Sequence, residues 1–151
     1  MKWILFGIGA LAALVGIVAA VGSMLPRNHT ASRTLRVSRP PADVWTAVIA
    51  ATAASSVPVD VVESHPPSRL VTRVKETEHM FGGTWTIAIA ADPFTGPTPG
   101  RTALTIGEDG WVANPIVRFV SRYVIGHHAT MDGILKAVAK TLNEEPVLSG
   151  E

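Results

Sequence analysis

The sequence predicts an α+β protein with an N-terminal transmembrane helix, followed by an antiparallel sheet that wraps around a long C-terminal helix. Three patterns predict it. Residues 3–25 are apolar or small and carry no charge. Between residues 33 and 109, four segments alternate apolar and polar side chains, which is typical of half-buried strands. From residue 115 to about 143 the apolar period becomes nearly four, which indicates a helix.

The first element is an apolar helix that ends before Pro26. At about 1.5 Å per residue it extends roughly 34 Å, slightly more than the ~30 Å hydrocarbon core of a bilayer. We therefore expect a transmembrane anchor over residues 1–26. A cleavable signal peptide is the alternative, because Met1-Lys2 precedes the apolar run and small residues lie near Ala19. The anchor is favoured because signal-peptide cores usually have only ~7–15 residues.

Charge around the anchor favours a single-pass protein with a cytoplasmic domain. Lys2 is the one basic residue before the span, whereas Arg27, Arg33, Arg36 and Arg39 follow it. Positive residues close to a span are retained on the cytoplasmic side. The net charge of the 151 residues is +1, without a basic cluster interleaved with aromatics. This composition argues against a nucleic-acid surface.

About 120 residues remain after the anchor, enough for one domain. Residues 27–32 are polar and are expected to form a tether. Residues 33–143 carry the periodic patterns and are expected to fold. Residues 144–151 are expected to form a disordered tail.

The domain is predicted to open with a strand and a helix. Residues 33–39 alternate, which places Leu35 on one face and Arg36 on the other. Two prolines then stop the strand, and proline is tolerated in a first helical turn. Val44 and Val48 recur at helical spacing, so a helix is expected to reach about residue 54.

Four further strands and a long helix should follow. Gly82-Gly83 and residues 92–100 are turn material, too short for helical crossovers, so the five strands should be antiparallel. The strands are expected at residues 57–63, 69–78, 84–91 and 101–109. Gly126 is expected to bend the last helix. Its apolar stripe comprises Val120, Val124, His127, Met131, Leu135, Val138 and Leu142.

Two segments of this chain resemble a known family. These are VSRPPADVW, which passes from the first strand into the first helix, and TIGEDGWVANPIVRFVSR, at the junction of the last strand and the last helix. They resemble the helix-grip domains of the START-like superfamily (SRPBCC), particularly membrane-anchored bacterial members of the polyketide cyclase/dehydrase and lipid-transport branch. The resemblance implies a hydrophobic cavity between sheet and long helix that holds a lipid, a polyketide-like molecule or another apolar ligand. The five predicted strands are fewer than the six or seven of that family.

The inward positions of the predicted strands and helices define a candidate cavity. Large apolar side chains on one strand face are typical of an ordinary hydrophobic core. The same side chains can also form the wall of a cavity, so the two roles are compatible. Aromatic side chains with polar tips could orient a ligand there. The candidate lining residues are Trp45, Trp85, Ile87, Ile106, Glu108, Trp111, Phe119, Tyr123, His127 and Met131.

Two carboxylates share the inward faces of their strands. The period of two sends Glu108 to the side of Ile106, and Glu76 to the side of Val74. A partly buried charge is usually retained only with a partner. We therefore favour a structural ion pair between Glu108 and Arg118 or Arg122 over a role in proton transfer.

Other catalytic or metal sites find little support in the sequence. His128 and Asp132 have the i, i+4 spacing of two ligands on one helix face, but no third ligand is placed near them. No serine lies in a G-x-S-x-G turn, and the chain contains no cysteine. We assign no metal, no cofactor and no catalytic residue.

The predicted function is binding of a hydrophobic small molecule or lipid beside the bilayer, without a required reaction. One alternative is a cyclase or dehydratase that uses Glu108, Glu76 or His127 as acid and base. Another is a ligand-free membrane adaptor, which would show a small cavity and a large exposed apolar patch. The sequence leaves the oligomeric state open.

Overall fold

The computed structural model describes residues 2–75, 81–92, 101–126 and 128–150, and it confirms the predicted α+β plan. In these residues the helices are α1 (Lys2–Met24), α2 (Pro41–Ala53), α3 (Pro115–Val120) and α4 (Ala129–Thr141), with a π-helical segment at Ser121–Ile125. The strands are β1 (Asn28–Val37), β2 (Val59–His65), β3 (Arg69–Val74), β4 (Phe81–Ala91), β5 (Thr102–Val112) and β6 (Leu148–Ser149). They form one antiparallel sheet in the order β2-β3-β4-β5-β1-β6.

Helix α1 has 23 residues and is long and apolar enough to cross a membrane. A signal sequence would meet the same criteria of length and composition. Its side chains are largely exposed, but its end packs against α3. Gly22 is buried there, and a Cβ atom on it would overlap the carbonyl oxygen of Pro115. The absent side chain therefore permits close contact between the two helices.

The core lies between the sheet and helices α2 and α4. Alternation along β1 buries Leu35, and the same period in β4 and β5 buries Ile87 and Ile106. Spacings of three and four residues in α4 bring its apolar side chains onto the same core. The core residues of α4 are Met131, Ile134, Leu135, Val138 and Ala139.

Residues 27–32 differ from the expected tether. Strand β1 begins at Asn28 and pairs with β5 as far as Trp111. The backbone N–H of Val112 also donates to the carbonyl of Arg27 at 2.9 Å. Extending the strand satisfies backbone groups that a tether would leave to water. The connection from α1 to the sheet is therefore only a few residues long.

The expected disordered tail also differs from the structure. Leu148 and Ser149 pair with Leu35 and Thr34, and Leu148 packs against the core. Arg36 donates to the Ser149 hydroxyl at 2.9 Å. Without β6, the outer edge of β1 would be unpaired, and exposed edges are usually covered. The sheet consequently has six described strands rather than five.

The predicted long C-terminal helix is interrupted. It is divided into α3, the π-helical segment and α4, with Gly126 between the last two. Gly126 has φ of 80°, a left-handed conformation that glycine adopts without strain. The prediction of one stripe is wrong at Val124, whose side chain is 71% exposed. Gly126 therefore follows the end of one helical segment instead of bending a continuous helix.

Candidate functional site

A half-enclosed cavity of about 290 Å³ lies at one end of the sheet, beneath α3 and the π-helical segment. This volume is near the lower end of the roughly 300–1,000 Å³ typical of ligand pockets. Its wall is mainly apolar with a few polar groups. The lining residues are His29, Val57, Val74, Phe81, Gly82, Trp85, Glu108, Trp111, Val112, Val117, Ser121, Ile125, Gly126 and Thr130.

Two glycines shape this end of the sheet by making room for rings. A Cβ on Gly82 would lie 2.9 Å from Cζ2 of Trp111, and one on Gly110 would lie 2.8 Å from Cε1 of His29. Both rings line the cavity. The predicted turn at Gly82-Gly83 is wrong, because Gly82 and Gly83 both lie within β4. Strand glycines commonly mark such close approaches.

A row of polar side chains crosses the sheet at the inner end of the cavity. Thr72, Trp85 and Glu108 are successive cross-strand neighbours and so share one face. Thr72 and Trp85 are almost completely buried, yet Thr72 Oγ1 and Trp85 Nε1 have no hydrogen-bond partner among the described residues. Buried polar groups are usually satisfied. Thr72 and Trp85 therefore place two unsatisfied polar atoms in the sheet next to the cavity.

Glu108 and Arg118 take partners other than each other, which corrects the predicted ion pair. Glu108 Oε1 lies 3.6 Å from Nε2 of His29. Arg118 donates to the carbonyl oxygens of Leu25 at 2.7 Å and Ala113 at 3.1 Å. The carbonyl at the end of α1 lacks a helical partner and carries partial negative charge, which attracts the guanidinium. Arg122 is exposed on the adjacent helical turn.

The described part of the cavity is smaller than the predicted one. Of the predicted lining residues, Trp85, Glu108 and Trp111 reach it. Ile87, Ile106 and Met131 have no exposure and fill the solid core, because α4 packs directly on the middle of the sheet.

The remaining predicted lining residues lie at the margins. Trp45 is partly buried against the core. Phe119 and Tyr123 pack against each other with ring centroids 5.0 Å apart, and Tyr123 is 61% exposed. His127 and Glu76 lie outside the described residues.

Several cavity residues were missed by the sequence reasoning. His29 was assigned to the tether, although the alternation of β1 continues from Leu35 back through Ala31 to His29. That alternation is the signal that could have identified it. Val117 lines the cavity from α3, and Ile125 lines it from the last position of the π-helical segment. Nothing in the apolar period gives that geometry.

Of the two metal ligands considered in the sequence, Asp132 has a structural role. Asp132 Oδ1 lies 3.1 Å from Nε of Arg33, so this carboxylate ties α4 to β1. Within residues 2–75, 81–92, 101–126 and 128–150, no group of three or more histidine or acidic residues could hold a metal ion.

Comparisons with known proteins support the fold. No family model matches the sequence. No curated protein matches it by sequence. A solved structure of a conserved protein from Geobacillus kaustophilus superposes with a TM-score of 0.60 at 12% identity, covering 80% of this chain and 99% of that one. This similarity shows a shared fold, in keeping with the predicted helix-grip plan.

Two further solved structures superpose less closely. A protein from Rhodobacter sphaeroides has a TM-score of 0.48 at 13% identity, covering 78% of this chain and 99% of that one. The Zhui aromatase/cyclase from Streptomyces sp. R1128 has a TM-score of 0.42 at 15% identity, with coverages of 77% and 94%. The structural neighbours thus include an aromatase/cyclase.

Proposed function

We propose that this chain is a single-pass membrane protein whose domain binds a hydrophobic small molecule, or the apolar part of a lipid, in the cavity at the end of the sheet. The apolar wall and the volume of about 290 Å³ suit a small apolar group. The hydroxyl of Ser121, in the same wall, offers a donor for a polar atom of the ligand.

The observation that carries the proposal is the position of the cavity beside the proposed anchor. The end of α1 packs on α3, and the next helical segment lines the cavity through Ile125. In that segment Tyr123, Val124 and Ile125 are 61%, 71% and 61% exposed. Apolar side chains next to a membrane span are suited to contact the bilayer interface. A sparingly soluble ligand would then enter the cavity without crossing water.

Photo-crosslinking with a diazirine-bearing medium-chain fatty acid tests this function in membranes that contain the full chain. We expect labelled peptides from β4 and β5, whose residues line the cavity. Val117→Trp should fill the cavity and remove this labelling. Ile116→Trp is the matched control, because Ile116 is 40% exposed on the same helix and does not line the cavity. Labelling confined to α1, or unchanged by Val117→Trp, would contradict the proposal.

An enzyme of the cyclase or dehydratase type is a second candidate, favoured by one specific observation. Glu108 and His29 both line the cavity, 3.6 Å apart, and such a pair can exchange a proton with a bound substrate. Glu108→Gln separates the two functions. A structural role predicts a lower melting temperature and unchanged product formation from a polyketide-like substrate. Catalysis predicts normal melting and lost product.

We also propose that the domain lies in the cytoplasm. Arg27, Arg33, Arg36 and Arg39 follow the span, against Lys2 before it. The natural chain contains no cysteine, so one introduced thiol reports its own location. Ser64→Cys, on exposed β2, should react with a membrane-impermeant maleimide only after the cells are permeabilised. Reaction in intact cells would show the opposite orientation.

A further inference from the structure

A second cleft, of about 160 Å³, lies where α1 meets β1 and α3. It adjoins the apolar cavity, with which it shares His29, Val112 and Ser121, and it is much more basic. Arg27, Arg118 and Arg122 line it together with His29 and Tyr123. None of its described lining residues carries a carboxylate. The cleft is therefore a concentration of positive charge at the point where the apolar helix ends.

Arg118 is the unusual member of this group. Its side chain is charged, yet the residue is only 7% exposed. Its two described hydrogen bonds go to neutral carbonyl groups, and its Nε has no partner among the described residues. A guanidinium has five N–H donors, so most of them are unused. Buried charges are usually compensated by an opposite charge. No described residue that lines the cleft supplies a negative charge, which points to an anionic ligand.

We propose that the cleft binds the phosphate of an anionic phospholipid in the leaflet next to the domain, an inference that rests on the proposed membrane anchoring. Leu25 and Pro26 line the cleft directly after the apolar helix, which places it at the depth of the headgroups. Tyr123 is exposed at the same place, and tyrosine is enriched at that depth. Guanidinium groups match phosphate by paired, charge-assisted hydrogen bonds.

Volume and charge together select the ligand class. The cleft is several times larger than the roughly 30 Å³ that one water occupies in the liquid, so a phosphate group fits. Glu108 does not line the cleft, and its Oε1 lies 3.6 Å from Nε2 of His29. A zwitterionic headgroup would add a positive charge beside three arginines. An anionic headgroup would not, and it is therefore preferred.

The test measures which lipid the full chain retains. The protein is reconstituted into nanodiscs of equal parts phosphatidylglycerol and phosphatidylcholine and then released into mild detergent. Native mass spectrometry measures the masses of the protein–lipid complexes that remain. We expect retained phosphatidylglycerol to exceed phosphatidylcholine, and Arg122→Gln to reduce this ratio on the order of five-fold. Arg73→Gln is the matched control. It removes an equal charge from an exposed position on β3, which is separated from β1 by two strands.

Each outcome decides the proposal. Phosphatidylglycerol preference that is lost in Arg122→Gln and kept in Arg73→Gln supports it. Equal retention of both lipids, or equal effects of the two variants, overturns it. Displacement of the lipid by inorganic phosphate at a concentration no higher than that of the lipid also overturns it, because the site would then prefer a free anion.

A second variant and a separate readout keep the two proposals distinguishable. Arg27→Gln changes a second exposed cleft residue and should lower the ratio of retained phosphatidylglycerol to phosphatidylcholine as Arg122→Gln does. This test does not require an Arg118 variant, which could fail to fold. Fatty-acid labelling of β4 is measured in the same preparation. Lost labelling with retained lipid preference contradicts the apolar cavity alone. Retained labelling without lipid preference contradicts the headgroup site alone. A chain that does not associate with vesicles contradicts the anchoring and both proposals that depend on it.

Discussion

Replacing Arg118 with methionine should measure how strongly the end of α1 is tied to the domain. Methionine keeps an unbranched apolar stem but cannot donate to the carbonyls of Leu25 and Ala113. Hydrogen bonds that involve a charged group contribute about 1.5–3 kcal/mol each. Arg118 is only 7% exposed, so water will not replace the lost donors easily. Part of the loss is offset because a buried charge is also removed.

We expect the free energy of unfolding to fall by about 2–4 kcal/mol and the melting temperature on the order of 10 °C. Thermal melting of the full chain in detergent, followed by circular dichroism, measures this. Arg122→Met is the control, because Arg122 is exposed and should change stability by less than about 0.5 kcal/mol. If Arg118→Met melts within about 2 °C of this control, the two hydrogen bonds do not stabilise the fold and the reasoning is refuted.

Three further predictions concern the core, the contact between α1 and α3, and a helix cap. Leu135→Ala empties a fully buried position and should lower the free energy of unfolding in urea by about 2–5 kcal/mol; a loss below about 1 kcal/mol would contradict the packed core. Gly22→Val should separate α1 from α3, because the Cβ of the new valine would overlap the carbonyl oxygen of Pro115. Proteolysis between the two helices should then be faster than in the natural chain, and an unchanged cleavage rate would contradict the contact between α1 and α3. Asn114→Ala removes the cap of α3 and should cost about 1 kcal/mol in the same urea titration, whereas no change would show the cap to be dispensable.

The sheet and its core could be predicted from the sequence because their signals are local. Alternation around Leu35, Ile87 and Ile106 gives both the strands and the face that they bury. The spacing of Met131, Leu135 and Val138 likewise gives the buried side of α4. These patterns depend only on the geometry of a strand and a helix.

The cavity could be predicted only in outline, because its shape depends on contacts between distant segments. The alternation that indicates an inward Glu108 does not reveal that His29, far away in the sequence, is its neighbour. Arg118 is close to Glu108 in the sequence but donates to Leu25 at the end of α1. Gly126 could be recognised as a residue that destabilises a helix, but not as the residue that follows the end of a helical segment at the cavity.

Lipid extraction tests directly whether the cavity at the end of the sheet binds an apolar molecule. The full chain, purified from membranes in mild detergent, is washed, extracted with organic solvent and compared with Val117→Trp by mass spectrometry. We expect the extract of the natural chain to contain an apolar compound in an amount about equimolar with the protein, and the Val117→Trp extract to lack this compound. Identical extracts from the two proteins, or no compound beyond the bulk lipids, would contradict it.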